Sequence, residues 1–303
     1  MNELKASVII TTKNRKEDVC RAIESCLAQT IVPEVIVIDD GSDDGTSDIV
    51  RAKFPTVRLI RSETSQGVAA QRNRGAQLAS GDIVFSIDDD IVLVSPQTVE
   101  QTLRDFDSPS VGLVAIPFIN VKIDDRIHYL APDATGKFAT APFGGGACAV
   151  RRDIFLRVGG YRESLMQEME EEDFCIRLLD AGYFTCIGRA SPLHHFCSPA
   201  RDSEWRSRRS GRNRVLFTWY NVPQPIFLVH LPATCLIRIL HGFKAHDAAA
   251  IVRGIAQGIG YCARHLSDRK PVRRRTYRLY RRLRKLSGLP LEVGRKYLQS
   301  DAA

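Results

Sequence analysis

The chain has 303 residues, of which 44% are apolar and 26% charged. That is ample apolar material for one large core, or for a domain with an appendage. No run offers the ~20 uninterrupted apolar residues of a spanning helix, and no long apolar stretch follows the N-terminus, so neither a membrane span nor a signal peptide is expected.

The net charge of +8 is unevenly placed. Residues 201–303 hold 22 Lys and Arg against 6 Asp and Glu, a net of +16, whereas residues 1–200 hold 21 against 29, a net of −8. An acidic body followed by a basic tail is the coarse organisation. Such a tail can meet a membrane surface, a nucleic acid or an anionic polymer. The eight cysteines, Cys20, Cys26, Cys148, Cys175, Cys186, Cys197, Cys235 and Cys262, form no C-x-x-C pair. A chain this long needs no staples, so reduced and mostly buried thiols are expected.

Residues 7–12 read as a buried strand, with Val8, Ile9 and Ile10 in one apolar run. The spacing predicts a helix over 16–29, with Val19, Ile23, Cys26 and Leu27 on one face. Residues 35–38 form a second strand. Gly41 to Thr46 is a turn, with Thr46 placed to cap a helix that ends near Lys53. A third strand covers 57–61, a helix 67–79 and a fourth strand 83–87. This alternation predicts βαβ units and a mainly parallel central sheet, an α/β fold. Beyond it, 111–118 reads as a strand and 120–142 as loop. Residues 147–150 follow Gly144-Gly145-Gly146, and a short helix runs from Arg152 to Gly159-Gly160. A helix over 168–181 is closed by Gly182. From Trp205 the chain is basic and helical.

Three acidic clusters interrupt the pattern: Asp39-Asp40 with Asp43-Asp44, Asp88-Asp89-Asp90, and Glu170-Glu171-Glu172-Asp173. The first two lie where apolar strands end, the edge at which open α/β sheets bind ligands. Carboxylates gathered there repel one another unless a cation or a substrate hydroxyl fills the gap. That points to metal-assisted transfer from a phosphorylated donor. Asp40 can accept hydrogen bonds from a base N–H or ribose hydroxyls, whereas Asp43 and Asp44 suit the turn itself. Asp88 and Asp90 offer the hard oxygen ligands that Mg²⁺ or Mn²⁺ prefers. Asp90 is expected on the metal, Asp88 nearer the ribose or a metal-bound water, and Asp89 beside the donor. Asp-x-Asp-x-Val also occurs in phosphatases, but there it follows the first strand. Glu172 and Asp173 open a helix whose dipole keeps carboxylates ionised. Asp173 is the candidate general base, with Glu172 beside it to bind a substrate hydroxyl. Arg177, four residues on, can pair with Asp173. The triple glycine lacks the strand–GxGxxG–helix context of a dinucleotide fingerprint.

In order, Thr11-x-x-Asn14-Arg15, Asp39-Asp40-Gly41-Ser42-x-Asp44-Gly45-Thr46, Arg72-Asn73-x-Gly75, Asp88-x-Asp90 and Glu172-Asp173…Arg177-Leu178…Ala181-Gly182-Tyr183 resemble family 2 glycosyltransferases of the GT-A fold. The resemblance covers about residues 6–200. It implies a Rossmann-like nucleotide-diphospho-sugar transferase domain over 1–204, with a donor half of about 1–92 and an acceptor half of about 93–204. A basic helical region, 205–303, follows. It implies that Thr11, Thr12 and Arg15 border the donor nucleotide and that Asp40 contacts its base or ribose. Arg72 and Asn73 would line the donor pocket, where Arg72 and Arg74 can neutralise phosphate or orient Asp88. Gly145 and Gly146 would make room for the acceptor and donor sugars. A histidine near His194-His195 would ligate the metal or touch the diphosphate. Adjacent residues rarely both ligate one ion, and the preference falls on His195.

The tail carries a basic run over 206–214 and an apolar stretch over 225–240 broken by His230, Pro232 and Arg238. Ten Lys and Arg fall between residues 269 and 285. Trp219, Tyr220, Phe227 and Leu228 beside arginines suit a membrane interface. Clustered cations attract anionic lipid at ~1 kcal/mol per charge. No nucleic-acid-binding motif accompanies them.

The expectation is an inverting, Mn²⁺- or Mg²⁺-dependent glycosyltransferase. It would move a hexose from a UDP- or dTDP-linked donor to a hydroxyl of a glycan or lipid-linked acceptor. It would act in the cytoplasm, peripherally at the inner face of a membrane, in cell-envelope, polysaccharide or glycolipid synthesis. The alternatives are a nucleotidyltransferase and a non-catalytic glycan- or membrane-binding protein on a transferase scaffold. The first would want a Gly-rich phosphate loop, of which Thr12-Lys13-Asn14-Arg15 is a poor version. Intact Asp88, Asp90 and Asp173 argue against the second.

Overall fold

A computed structural model describes residues 4–133, 135–197 and 203–299. The N-terminal part alternates as the hydrophobic runs dictate: β1 (Ala6–Thr12), α1 (Lys16–Leu27), β2 (Glu34–Asp39), α2 (Thr46–Lys53), β3 (Arg58–Arg61), α3 (Val68–Leu78) and β4 (Ile83–Asp88). β1, β2, β3 and β4 pair in parallel. In register, Thr12 stands opposite Asp39 and Thr11 opposite Asp88, which gathers two acidic clusters at one sheet edge. Helix α2 begins at Thr46, but the capping bond is not from Thr46: Asp44 Oδ1 accepts from the Thr46 N–H at 2.9 Å.

The next segment supplies β5 (Ile91–Val92), α4 (Thr98–Arg104), β6 (Val111–Ala115), β7 (Phe118–Asn120), β8 (Ile127–His128), β9 (Phe138–Ala139) and β10 (Ala147–Arg151). The strand expected over 111–118 is two strands in two sheets. Pro117 has no N–H to continue a ladder, so β7 leaves the main sheet. The stretch 120–142, expected as loop, carries β8 and β9. Then come α5 (Arg152–Val158), α6 (Glu170–Asp180), β11 (Phe184–Ile187) and β12 (Leu193–His195).

The C-terminal region contains α7 (Ser203–Asn221), α8 (Ile226–Ala245), α9 (Ala248–Arg264), α10 (Arg274–Leu283), β13 (Leu289–Pro290) and α11 (Leu291–Gln299). The main sheet runs β13-β9-β11-β6-β10-β4-β1-β2-β3, and β5-β12-β7-β8 form a smaller one. The main sheet is mixed rather than mainly parallel. β10 is antiparallel to both β4 and β6, and β9 and β13 are antiparallel additions at the edge. Residues 1–92 contain no signal for those partners, because antiparallel insertion is decided by distant chain.

The core does not break at residue 204. Tyr277, Leu279, Tyr280, Leu283, Leu289 and Leu291 are buried in the same cluster as the strands of the main sheet. α7, α8 and α9 form a second cluster around Leu216, Tyr220 and Ile251. Gly254 allows α9 to approach α7, since a Cβ there would strike the carbonyl of Arg208. α8 is one continuous 20-residue helix despite Pro232, with a window of mean hydropathy 1.6, of which 6% is buried. It is therefore long and apolar enough to cross a membrane by length and composition, contrary to the interrupted segment expected from His230, Pro232 and Arg238. All eight cysteines are free, and seven of them are buried.

Candidate functional site

A cavity of about 760 Å³ opens where β1 and β4 end, within the size of small-molecule sites. Thr11, Thr12, Arg15, Asp40, Arg72, Asp88, Asp89, Asp90, Gly145, Gly146 and His195 all line it. Parallel register sets the first of these side by side. β12 brings His195 opposite Ile91, next to the aspartates.

Arg15 reaches from the loop after β1 to the aspartates, 3.2 Å from Asp89 Oδ1 and 2.8 Å from Asp90 Oδ2. Burial pushes the Asp89 carboxyl up to about 7, against the pull of Arg15. Asp90 is also desolvated, but His195 and Arg15 outweigh this and hold it down at about 2.

His195 Nδ1 lies 2.8 Å from Asn120 Oδ1, which can only accept, so Nδ1 carries the hydrogen. Asn120 is fixed in turn by its Nδ2 donating to His128 Nε2 at 3.0 Å. The other ring atom, His195 Nε2, is buried without a hydrogen-bond partner, 3.3 Å from Asp90 Oδ1. Two lone pairs facing across that gap repel unless a proton or a cation lies between them. Two adjacent ligands at ~2.1 Å from one octahedral ion stand about 3 Å apart, so the pair fits a divalent cation. Among the described residues no three His, Cys, Asp or Glu side chains form a ready-made cage. Mg²⁺ is typically held through one or two carboxylates, with phosphate and water completing its shell. Asn120 and His128 orient His195 from behind, an arrangement no spacing in the sequence revealed.

Asp88 points the other way. Arg72 Nη2 donates to its Oδ1 at 2.7 Å, and Asp88 is a third exposed toward the cavity. Gly145 and Gly146, expected to make room for sugars, make room here for protein groups. A Cβ on Gly146 would overlap the Asp88 carboxylate, and one on Gly145 would overlap Glu171 and Arg72.

Four expected contacts are placed differently. Asp40 lines the cavity, but its acceptor positions are filled. Oδ1 takes Gln66 N (2.7 Å) and Gln71 Nε2 (2.5 Å), and Oδ2 takes Ser65 Oγ (2.6 Å) and Gly67 N (3.1 Å). Burial alone would raise this carboxyl, yet these bonds hold it below its ordinary value. Asp40 thus shapes the 65–67 loop and has no acceptor left for a nucleotide. Asn73 does not line the cavity: its amide clamps the backbone of Tyr161, donating to the carbonyl and accepting from the N–H, both at 2.8 Å. Glu172 faces away, toward Tyr280 (3.3 Å) and Arg284 (3.8 Å) on the basic tail. Asp173 is fully buried and bonded to Arg162, to Arg177 Nε (2.8 Å) and to Asn221 Nδ2 (2.7 Å). No acceptor hydroxyl can reach it.

The carboxylates that α6 turns to the cavity are Glu170 and Glu171. Arg72 Nη1 lies 3.7 Å from the first and 3.6 Å from the second. The Glu171 side chain keeps 22% exposure, against 2% for Glu170. Burial raises both carboxyls above the ordinary range, Glu170 the more strongly because Glu171 repels it.

The rim holds residues that the sequence did not place at this site: Met166, Gln167 and Glu168 before α6, and Trp205, Arg206 and Arg209 from α7. Met166, Glu168 and Met169 have positive φ, a conformation that must be held by its surroundings. Asn213, fully buried on α7, supplies part of that hold by donating to the carbonyls of Leu165, Gln167 and Glu168 at 2.8–2.9 Å.

A family model described as glycosyl transferase family 2 matches residues 7–161, just over half of the chain. An uncharacterized glycosyltransferase from Haemophilus influenzae is 31% identical over 197 residues, which is 62% of this chain and 66% of that protein. A glucosyl-dolichyl phosphate glucuronosyltransferase from Haloferax volcanii is 28% identical over 208 residues, 58% of this chain and 64% of that protein. The chain thus spans slightly less than two thirds of the length of these relatives. The fold matches a mannosyltransferase from Pyrobaculum calidifontis in complex with GDP-Man and Mn²⁺, with a TM-score of 0.57 at 18% identity. That match covers 99% of this chain and 89% of the mannosyltransferase, so the likeness extends through the C-terminal helices. GalNAc-T7 with UDP, GalNAc and Mn²⁺ gives a TM-score of 0.55 over 64% of this chain and 44% of its own. The architecture is the GT-A type with a mixed central sheet and a helical C-terminal region. The chain belongs to glycosyl transferase family 2.

Proposed function

We propose that this protein is an inverting, divalent-metal-dependent glycosyltransferase that moves a hexose from a UDP- or dTDP-linked donor to an acceptor hydroxyl. The observation that carries this reading is the single cavity shared by Asp88, Asp90, His195 and Glu171. Asp90 and His195 would hold Mn²⁺ or Mg²⁺, which when bound offsets charge on the departing diphosphate. Thr11, Thr12 and Arg15 border the phosphate side, and Asp88, oriented by Arg72, faces the donor ribose or sugar.

Glu171 replaces Asp173 as the general base. It takes the proton of the acceptor hydroxyl as that oxygen bonds to the anomeric carbon. The bond from that carbon to the diphosphate breaks, and its electron pair leaves on the phosphate oxygen. A carboxyl raised above its ordinary value is better matched to this proton transfer near neutral pH. One base on one face corresponds to inversion. The acceptor is a glycan or a lipid-linked glycan, met by a cytoplasmic enzyme at the inner face of a membrane.

The test pairs two readouts on Glu171→Gln. Transfer should fall by about 10²–10⁴-fold, the usual worth of a general base, while metal-dependent binding of the nucleoside diphosphate is kept. Wild-type turnover in this variant would remove Glu171 from the role. A product with the donor's anomeric configuration would remove inversion.

A further inference from the structure

A separate cavity of about 380 Å³ lies between α6, α7, α8 and α10. Arg214, Arg238, Arg281, Arg284 and Lys285 line it against a single carboxylate, Glu172. Five cations in one small cavity repel, and the repulsion grows as water is excluded. Glu172 lies 3.8 Å from Arg284 and answers one of them. The Nε groups of Arg214 and Arg238 are shielded from solvent and have no hydrogen-bond partner, a cost that a bound acceptor would remove. His230, also on this wall, is held below its ordinary pKa by burial and by Arg281 and Arg284, which registers the same positive field. A phosphate group supplies the charge and the clustered acceptors that guanidinium forks match.

The same cavity adjoins an apolar surface. α8 leaves Leu228, Val229, Leu236, Ile237, Leu240 and Phe243 each more than half exposed. Ile237 belongs both to this face and to the cavity wall, so the two are continuous. Another side of α8 packs Leu231, Cys235 and Ile239 into the second core, and Arg238 donates to Ser210 at 3.0 Å. A helix anchored on one side lies along a surface rather than being surrounded by lipid.

We propose that this basic cavity binds the phosphate of an anionic membrane lipid, with the exposed face of α8 against the acyl boundary. A free phosphate would satisfy the arginines but leave the apolar face without a partner. A lipid satisfies both. The proposal rests on the membrane contact in the reading above and makes it specific.

The test is co-sedimentation of the full chain with phosphatidylcholine vesicles, with and without phosphatidylglycerol. The variant is Arg281→Gln with Lys285→Gln, at two exposed positions outside the donor site. Thermal unfolding with UDP and Mn²⁺ monitors folding and the donor site independently. Wild type should bind the anionic vesicles about tenfold or more tightly than the neutral ones. The double variant should lose about tenfold or more of that binding, with its unfolding midpoint and UDP response unchanged. Unchanged vesicle binding by the variant would overturn the cavity and leave the membrane contact standing. A midpoint raised by inorganic phosphate in wild type but not in the variant, without vesicle binding, would mark a free-anion site and overturn the lipid. Absence of both responses would overturn the cavity and the membrane contact together, while the UDP response judges the transferase reading separately.

Discussion

Arg72 Nη2 donates to Asp88 Oδ1 across 2.7 Å, and that bond ties the middle of α3 to the end of β4. The same guanidinium, 5% exposed, faces Glu170 and Glu171 at the start of α6. One buried cation thus organises carboxylates from two distant parts of the chain. Its own Nε and Nη1 have no hydrogen-bond partner, so attraction to those carboxylates holds it in place.

Gly146→Ala tests that organisation. The added methyl would overlap the Asp88 carboxylate and push it off Arg72. Misplacement on the ångström scale costs about 10²-fold in rate, so transfer should fall to that extent. Overpacking should also lower stability by about 1–3 kcal/mol. Steady-state kinetics and chemical denaturation check both; wild-type turnover would show that Asp88 need not stay where it is.

The pH dependence follows from Glu171. Its carboxyl is raised above the ordinary value by burial, with Arg72 pulling the other way. A base must be ionised, so kcat/KM should rise with pH through that elevated pKa and then level off. The acidic limb should lie above the ~4.3 of a free glutamate. Measuring kcat/KM from acid to neutral pH locates it. A limb at or below the free value would contradict the assignment.

Asp173 calls for the opposite outcome. Replacing it with Ala strands Arg162 and Arg177 without their shared partner in a buried setting. Removing one member of a buried ion pair costs about 3–5 kcal/mol, so unfolding should shift down on the order of 5–10 °C. Thermal unfolding checks this. An unshifted midpoint with lost turnover would return Asp173 to the catalytic role.

The contrast between Glu171 and Asp173 shows where sequence reading stops. Four acidic residues in succession, Glu170 to Asp173, circle the first turn of α6 at about 100° per residue. Composition marks the turn but not the face that meets the cavity. The spacing of Arg177 four residues after Asp173 was the available sign that this carboxylate serves the core. The strand ends at Thr11, Asp40 and Asp88 were legible because a parallel sheet places all its C-terminal edges together. Asn120, Trp205 and Arg209 were not, because each is carried to the site by packing of distant elements.

The tail shows the same limit. Charge counting reads the basic tail, 205–303, as an appendage whose clustered cations meet anionic lipid. Instead, β13 joins the main sheet and Tyr280 and Leu283 fill the main core. Deleting that segment would unfold the protein, which is why point variants at Arg281 and Lys285 are needed. Binary patterning would have found this: α10 buries Tyr277, Leu279, Tyr280 and Leu283 between its arginines.

The most direct test of the metal-assisted donor site is thermal unfolding with UDP and dTDP, each with and without Mn²⁺, on wild type, Asp90→Ala and His195→Ala. A ligand that binds only the folded state raises stability by RT ln(1 + [L]/Kd), about 2.7 kcal/mol at a hundredfold excess over Kd. Wild type should show a diphosphate shift that requires Mn²⁺, and both variants should lose it. A shift of equal size without metal, or one retained in both variants, would contradict the site built on Asp90 and His195.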